Sequence, residues 1–207
     1  MKSVAVFYAT REGQTQKIAE RIQADLQARG LQVRLEKVSP ATHFEQGDAD
    51  AVILAASVHA GHHEREMVHF VKLHRDVLNR IPTSFLSVTL SQAGYQRCAC
   101  DVAKREEFAR DIASVIDQFF RETGWHADCV KPVAGALVYQ QYNPFIRFVM
   151  RRIAEKSGGD TDTSRNYEYT DWADLDRFVD EIADQIQQTA RTFQPAHPPS
   201  ETAHLLS

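Results

Sequence analysis

The sequence has no long hydrophobic run. No stretch approaches the ~20 apolar residues that a helix needs to cross a bilayer, so any membrane contact is expected at the surface. Cysteine is scarce, with only Cys98, Cys100 and Cys129. An odd, sparse count argues against a disulfide framework and suits a reducing compartment. Neither sign of charge is in large excess. Lys and Arg number 24 against 28 Asp and Glu, a formal net charge of −4, which gives no basis for a nucleic-acid partner. There is no G-x-x-x-x-G-K-[ST], which argues against a nucleoside triphosphatase, and no G-x-G-x-x-G for a dinucleotide. The first fifteen residues carry no small-residue cleavage pattern, so no secretion signal is expected.

Strand and helix patterns alternate along the chain. "SVAVFYA" (3–9) is almost continuously apolar, as a strand buried on both faces must be. A helix follows over 14–29, with Ile18, Ala19, Ile22 and Leu26 on one face and Gly30 as its stop. "LQVRLEKV" (31–38) alternates like an edge strand, and "DAVILAAS" (50–57) is the most apolar strand. A helix from Glu64 to Asn79, a strand over 84–90 and a helix from Val102 to Thr123 come next. The segment 130–139 contains a fifth strand, and a last helix begins near Thr170 or Asp171, either of which can cap it. This alternation implies an α/β fold, a doubly wound five-stranded parallel sheet of order 2-1-3-4-5. Two segments depart from it. The link over 39–48 is too short for a full helix, and 140–169 is too long for a plain loop, so a helical insertion after strand five is expected. The expected organisation is a single domain over 1–193 and a Pro-rich, disordered tail over 194–207.

In a parallel sheet, ligands bind beyond the carboxyl ends of the strands. "TREGQT" (10–15) lies there, after the first strand and at the start of a helix whose N–H groups and partial positive charge face the loop. Thr10 and Thr15 add hydroxyls, and Gly13 lets the backbone turn closely around an anion. The same residues would also serve as a plain turn and N-cap; the position after a buried strand favours phosphate. "SVHAGHH" (57–63) and "TLSQAGYQRCAC" (89–100) follow strands three and four and are read as two more loops on the same edge. His59, His62, His63, His69 and Glu64 are close in sequence, but "HEREM" is not H-E-x-x-H and no spacing matches a zinc site, so no metal is expected. Cys98 and Cys100 form a C-x-C rather than a redox C-x-x-C, and no role is assigned to them.

Three blocks, "YATREGQT", "ASVHAGHH" and "AGALVYQQYNPFIRFVMRRIAEKSGGDTDTSRNYEYTDW", carry a resemblance. The first is similar to the [ST]-x-x-G-x-[ST] phosphate loop of flavodoxins. Together they resemble the flavodoxin-like, quinone-dependent protoporphyrinogen IX dehydrogenases of bacterial haem synthesis, over about residues 2–186. The third block is the most specific, since short flavodoxins lack a basic, aromatic insertion there.

The resemblance implies FMN, oxidation of protoporphyrinogen IX to protoporphyrin IX, and electron delivery to menaquinone or ubiquinone. It also implies a peripheral location on the cytoplasmic side of the inner (plasma) membrane. The implied cofactor contacts are Thr10, Arg11, Glu12, Gly13, Gln14 and Thr15 at the phosphate. Ser57, Val58, His59, Ala60, Gly61 and His62 would lie beside the flavin ring. Leu90, Ser91, Gln92, Ala93, Gly94 and Tyr95 would lie at its pyrimidine edge, with Tyr95 able to stack. No catalytic base is implied.

From Asn143 to Gly158 the insertion has four basic residues and one acid, Glu155. On a helical wheel Phe145, Ile146, Phe148, Val149, Met150 and Ile153 form one apolar arc, with Arg147 and Arg151 opposite. Arg152 and Lys156 lie inside or beside the arc. Such a helix suits an anionic membrane surface, a porphyrin whose propionates meet arginines, or packing on its own domain. Phe145, Arg147, Phe148, Arg151 and Arg152 are the substrate or membrane candidates. The alternative function is a flavodoxin-type electron carrier with no organic substrate; the mild net charge and basic insertion count against it.

Overall fold

The computed structural model describes residues 1–98, 101–156 and 159–191. Cys100, the 194–207 tail and several side chains of the insertion (Ile146, Val149, Met150, Arg152, Ile153 and Lys156) lie outside what is described.

The chain runs β1 (Ser3–Ala9), α1 (Gln14–Ala28), β2 (Gln32–Lys37), β3 (Ala51–His59), β4 (His62–His63), α2 (Arg65–Leu78) and β5 (Thr83–Thr89). It continues through α3 (Leu90–Arg97), α4 (Val102–Thr123), β6 (Cys129–Ala134), β7 (Ala136–Leu137), α5 (Pro144–Lys156), β8 (Tyr167–Glu168) and α6 (Trp172–Arg191). Parallel ladders join β2-β1-β3-β5-β6 in that order. This is the expected five-strand order, with the two-residue β4 a side branch on β3.

Side-chain alternation divides the core in two. Val4 and Val6 face α1 and α6, meeting Ile18, Ile22, Phe178 and Val179. Ala5 and Phe7 face α2 and α4, meeting Phe70, Val71 and Phe119. Phe7 has no exposed surface, so Phe7→Ala would cost about 3–5 kcal/mol.

The helix ends follow local chemistry. Gly30 (φ 81°) is left-handed after α1; its N–H donates to Gln27 O and the Leu31 N–H donates to Leu26 O, a Schellman end. Asp171, not Thr170, caps α6, accepting from Asp174 N at 2.9 Å. Thr170 instead donates to Ala134 O at 2.7 Å and accepts from Gln14 Nε2 at 2.9 Å, joining the end of β6 to the start of α1.

The 39–48 link contains no helix. Phe44 fills that part of the layer instead, edge-on to Phe7 at 5.4 Å. Its N–H donates to His74 Nε2 while His74 Nδ1 bonds Phe70 O, so His74 is a neutral tautomer with its proton on Nδ1.

One expectation is corrected. The segment after β5 is a helix, α3, rather than a loop. Thr89 caps it by accepting from Ser91 N at 3.1 Å, which offsets the helix-weakening Gly94. The fifth strand ends at Ala134; residues 136–137 turn away to pair antiparallel with β8, closing the insertion at its base.

Candidate functional site

A cavity of about 800 Å³ opens at the carboxyl ends of β1, β3, β5 and β6. Strand order reverses beside β1, where adjoining crossovers leave on opposite faces and a crevice forms.

The first wall is the turn from β1 into α1. Thr10, Arg11, Glu12, Gln14 and Thr15 line it. Gly13 is the N-cap, at φ 92°, and a Cβ there would meet nothing within 4 Å. Glycine is therefore required by backbone conformation rather than by crowding. Its N–H donates to Thr10 Oγ1 at 3.1 Å, which tightens the turn. The Gln14 side chain is committed to Thr170. Thr15 has no exposed surface, yet its Oγ1 has no hydrogen-bond partner among the described residues. The first-turn amides of α1 have no partner within the helix either.

The second wall is the β3–β4 hairpin. Ala60 (φ 49°) and Gly61 (φ 80°) form its two-residue turn, with His59 paired to His62. Two left-handed central residues match the right-handed strand twist. Among the described residues Ala60 alone of the non-glycines has positive φ. Residues Ser57 to His62 all line the cavity.

A buried carboxylate ties the two walls together. Glu64 is 3% exposed. It accepts from Ser57 Oγ at 3.1 Å and from Arg11 Nε at 3.0 Å. His59 Nε2 lies 3.2 Å from Glu64 Oε1 and 2.9 Å from Glu12 Oε2. Neither approach is aligned as a hydrogen bond, and among the described residues the ring nitrogen has no hydrogen-bond partner. The other histidines diverge. His62 Nδ1 lies 2.6 Å from Gln118 Nε2 of α4. His63 is buried between Phe85 and Phe119 with Nε2 2.9 Å from Ser87 Oγ, and burial lowers its pKa to about 4.

The third wall is the start of α3. Leu90 and Ser91 line the cavity, and Gln92, Ala93, Gly94 and Tyr95 do not. The helix carries those four away. Ala93 is buried, and Gly94 lies so close to Phe108 that a Cβ would fall 2.4 Å from the ring. Tyr95 lies under the Arg105 guanidinium at 4.6 Å and accepts from it at 3.1 Å, so it does not face the cavity.

Beyond the expected residues, Val88, Thr89, Gly135 and Ala136 at the strand ends line the cavity, and so do residues of α4 and the insertion. Asp111, Ser114, Val115 and Gln118 of α4 also line the cavity. Their i, i+3, i+4, i+7 spacing was a usable signal, since it defines one helix face. Tyr142, ahead of α5, closes the cavity from the insertion side. Burial pushes its phenol up to about 12, and the negative charge of Glu12 adds to the rise.

The insertion keeps Arg147 opposite Phe145 and Phe148, as on its helical wheel, with the aromatic side outward. Phe145 and Phe148 are 75% and 61% exposed, so this part of the apolar arc faces solvent. Arg147 points inward: Nε donates to Tyr139 O at 3.0 Å and Nη2 donates to Tyr142 O at 3.2 Å. Two backbone carbonyls thus hold the guanidinium expected to serve a substrate or a membrane. Arg151 is exposed.

Comparison with known proteins agrees with this architecture. A family profile described as a flavodoxin domain matches residues 5–164. The chain is 33% identical over 183 residues to the protoporphyrinogen IX dehydrogenase [quinone] of Escherichia coli (strain K12), covering 88% of this chain and 95% of that one. It is 30% identical over 180 residues to the protein of the same name from Leishmania major, covering 86% and 73%. Among solved structures, a short-chain flavodoxin associated with a PDU bacterial microcompartment aligns with TM-score 0.50 at 16% identity, covering 90% of this chain and 99% of that one. Rubredoxin oxygen:oxidoreductase from Desulfovibrio gigas aligns with TM-score 0.51 at 15% identity, covering 92% of this chain. Our chain spans only 37% of that protein's length. These two likenesses establish the fold.

Proposed function

This chain belongs to the flavodoxin-domain family, and we propose that within it the protein is an FMN-dependent protoporphyrinogen IX dehydrogenase of haem biosynthesis that passes electrons to a quinone. The observation that carries the FMN reading is Thr15 Oγ1, fully buried, unpartnered and on the wall of a cavity at a helix N-terminus. A buried hydroxyl without a partner costs about 1–3 kcal/mol. A phosphate oxygen accepting from it removes that cost.

The residues fit the group. Thr10, Thr15 and the first-turn amides of α1 would hold the phosphate, with Gly13 setting the turn. Ser57 to His62 on one side, and Leu90 and Ser91 on the other, would flank the ring. Gln92 to Tyr95 are removed from this set by their position on α3. When bound, the flavin would supply the two-electron chemistry. The protein's own contribution is placement. Glu64 fixes Arg11 and Ser57 to one another, which holds the first two walls at a constant separation. Tyr142 and the α4 face restrict water at the open side.

The relatives' name supports protoporphyrinogen IX and a quinone, menaquinone or ubiquinone, as the reaction partners. Phe145 and Phe148 support a peripheral seat on the cytoplasmic face of the inner membrane, where a quinone is available. Among the described residues no helix is long and apolar enough to cross a membrane. The insertion over about 140–169 is taken as part of a single domain spanning 1–193.

The test is an anaerobic assay of FMN-loaded protein with protoporphyrinogen IX, with and without a quinone. Porphyrin fluorescence that accumulates over many turnovers only with quinone is expected. Fluorescence no faster than a protein-free control would leave an electron carrier as the better reading. Protein that retains no flavin would remove both.

A further inference from the structure

We infer that Arg147 is a positioning residue: by bonding the carbonyls of Tyr139 and Tyr142 it fixes the turn that carries the Tyr142 ring into the cavity wall, so that α5 and the ligand site are mechanically joined. Its role in substrate handling rests on the proposed function, whereas its structural part does not.

Three observations support this. The guanidinium bonds two carbonyls three residues apart, Nε to Tyr139 O and Nη2 to Tyr142 O. One planar fork satisfying both acceptors locks the turn, which a single-donor contact would not. Tyr142 is the residue of that turn that lines the cavity. The base of the insertion is anchored separately. Tyr139 OH donates to Asp160 O at 2.7 Å, and the Asp160 carboxylate accepts from Tyr169 OH at 2.8 Å and pairs with Arg97. With that end held, Arg147 joins the exposed face bearing Phe145 to the turn that carries Tyr142, alongside the packing of Ala154 with Tyr139. A partner pressing on Phe145 would therefore be felt at Tyr142.

The phenol of Tyr142 supplies the readout. The charged and titratable groups acting on it are Glu12 of the first loop and Tyr139 of its own turn. Protein labelled with 3-fluorotyrosine is titrated with base and followed by fluorine NMR, the Tyr142 signal being identified by its loss in Tyr142→Phe. In wild type this phenol should ionise above the ordinary range. Arg147→Ala should lower its midpoint by about one pH unit as the ring swings into water. Arg147→Lys, which retains a donor but not the fork, should fall between the two and covers the case of a poorly folded alanine variant. Midpoints unchanged in both variants would overturn the inference. In a second arm, Arg147→Ala should raise KM for protoporphyrinogen IX about tenfold with kcat within about twofold. It should add nothing in a Tyr142→Ala background. Additive effects would contradict the coupling. A wild-type protein without turnover would count against the proposed function and leave the fluorine result to decide this one.

Discussion

Replacing Thr15 by valine should move stability and affinity in opposite directions. Valine matches threonine in shape and branching and removes only Oγ1. That oxygen is fully buried and has no partner among the described residues, so its loss relieves a desolvation cost. Apo Thr15→Val should be about 1–3 kcal/mol more stable than wild type in urea. A hydrogen bond to a charged phosphate contributes about 1.5–3 kcal/mol. The dissociation constant for FMN should therefore rise roughly 10- to 160-fold. Riboflavin has the same ring system without the phosphate, and its affinity should not change. Fluorescence titration with both ligands, beside urea curves on apo protein, gives all three numbers. A destabilised apo variant, or equal losses for FMN and riboflavin, would refute the phosphate assignment.

Gly13→Ala should cost about 1–2 kcal/mol through its left-handed backbone and weaken FMN, and urea unfolding with FMN titration would check both. His63 is held neutral by burial, with a folded pKa of about 4 against 6.5 when unfolded. Its contribution is therefore fully present above pH 6.5 and is lost as pH falls toward 4, about 2 kcal/mol of it between pH 7 and 5. The wild-type-minus-variant difference in unfolding free energy for His63→Gln should show that slope, and a flat difference would count against a neutral buried imidazole. Phe145→Glu should leave stability within about 0.5 kcal/mol, because the ring is exposed. The same change should reduce sedimentation with anionic vesicles, and unchanged binding would mean that α5 does not meet the bilayer.

The parts of the structure legible in the sequence were those set by short-range periodicity. Continuous apolarity marked β1 and β3 as central strands, and alternation marked β2 as an edge, because burial on two faces or one is written into the pattern. The turn at Thr10 to Thr15 was legible for the same local reason. What escaped depended on partners distant in sequence. Tyr142 enters the cavity only because the insertion folds back, and no spacing near residue 142 points to β1. Arg147 was placed on a polar face by its helical wheel, which cannot register carbonyls of the preceding turn. Tyr95 was assigned to a flavin edge on the assumption of a loop; the Thr89 cap winds that segment into α3 and turns the ring to Arg105. The polar α4 face was written in the sequence, but Asp111, Ser114 and Gln118 look like ordinary solvated positions until the hairpin at His62 is seen beside them.

The central claim is that this cavity holds a flavin which accepts electrons from a porphyrinogen and releases them to a quinone. An anaerobic half-reaction tests it most directly: FMN-loaded protein is mixed with stoichiometric protoporphyrinogen IX in the absence of quinone, and the flavin absorbance is followed. The yellow band should bleach as the first electron pair of the substrate enters the flavin, and it should return, with porphyrin now appearing, when excess quinone is added to take up the remaining pairs. A band that stays oxidised while substrate is present would contradict the account.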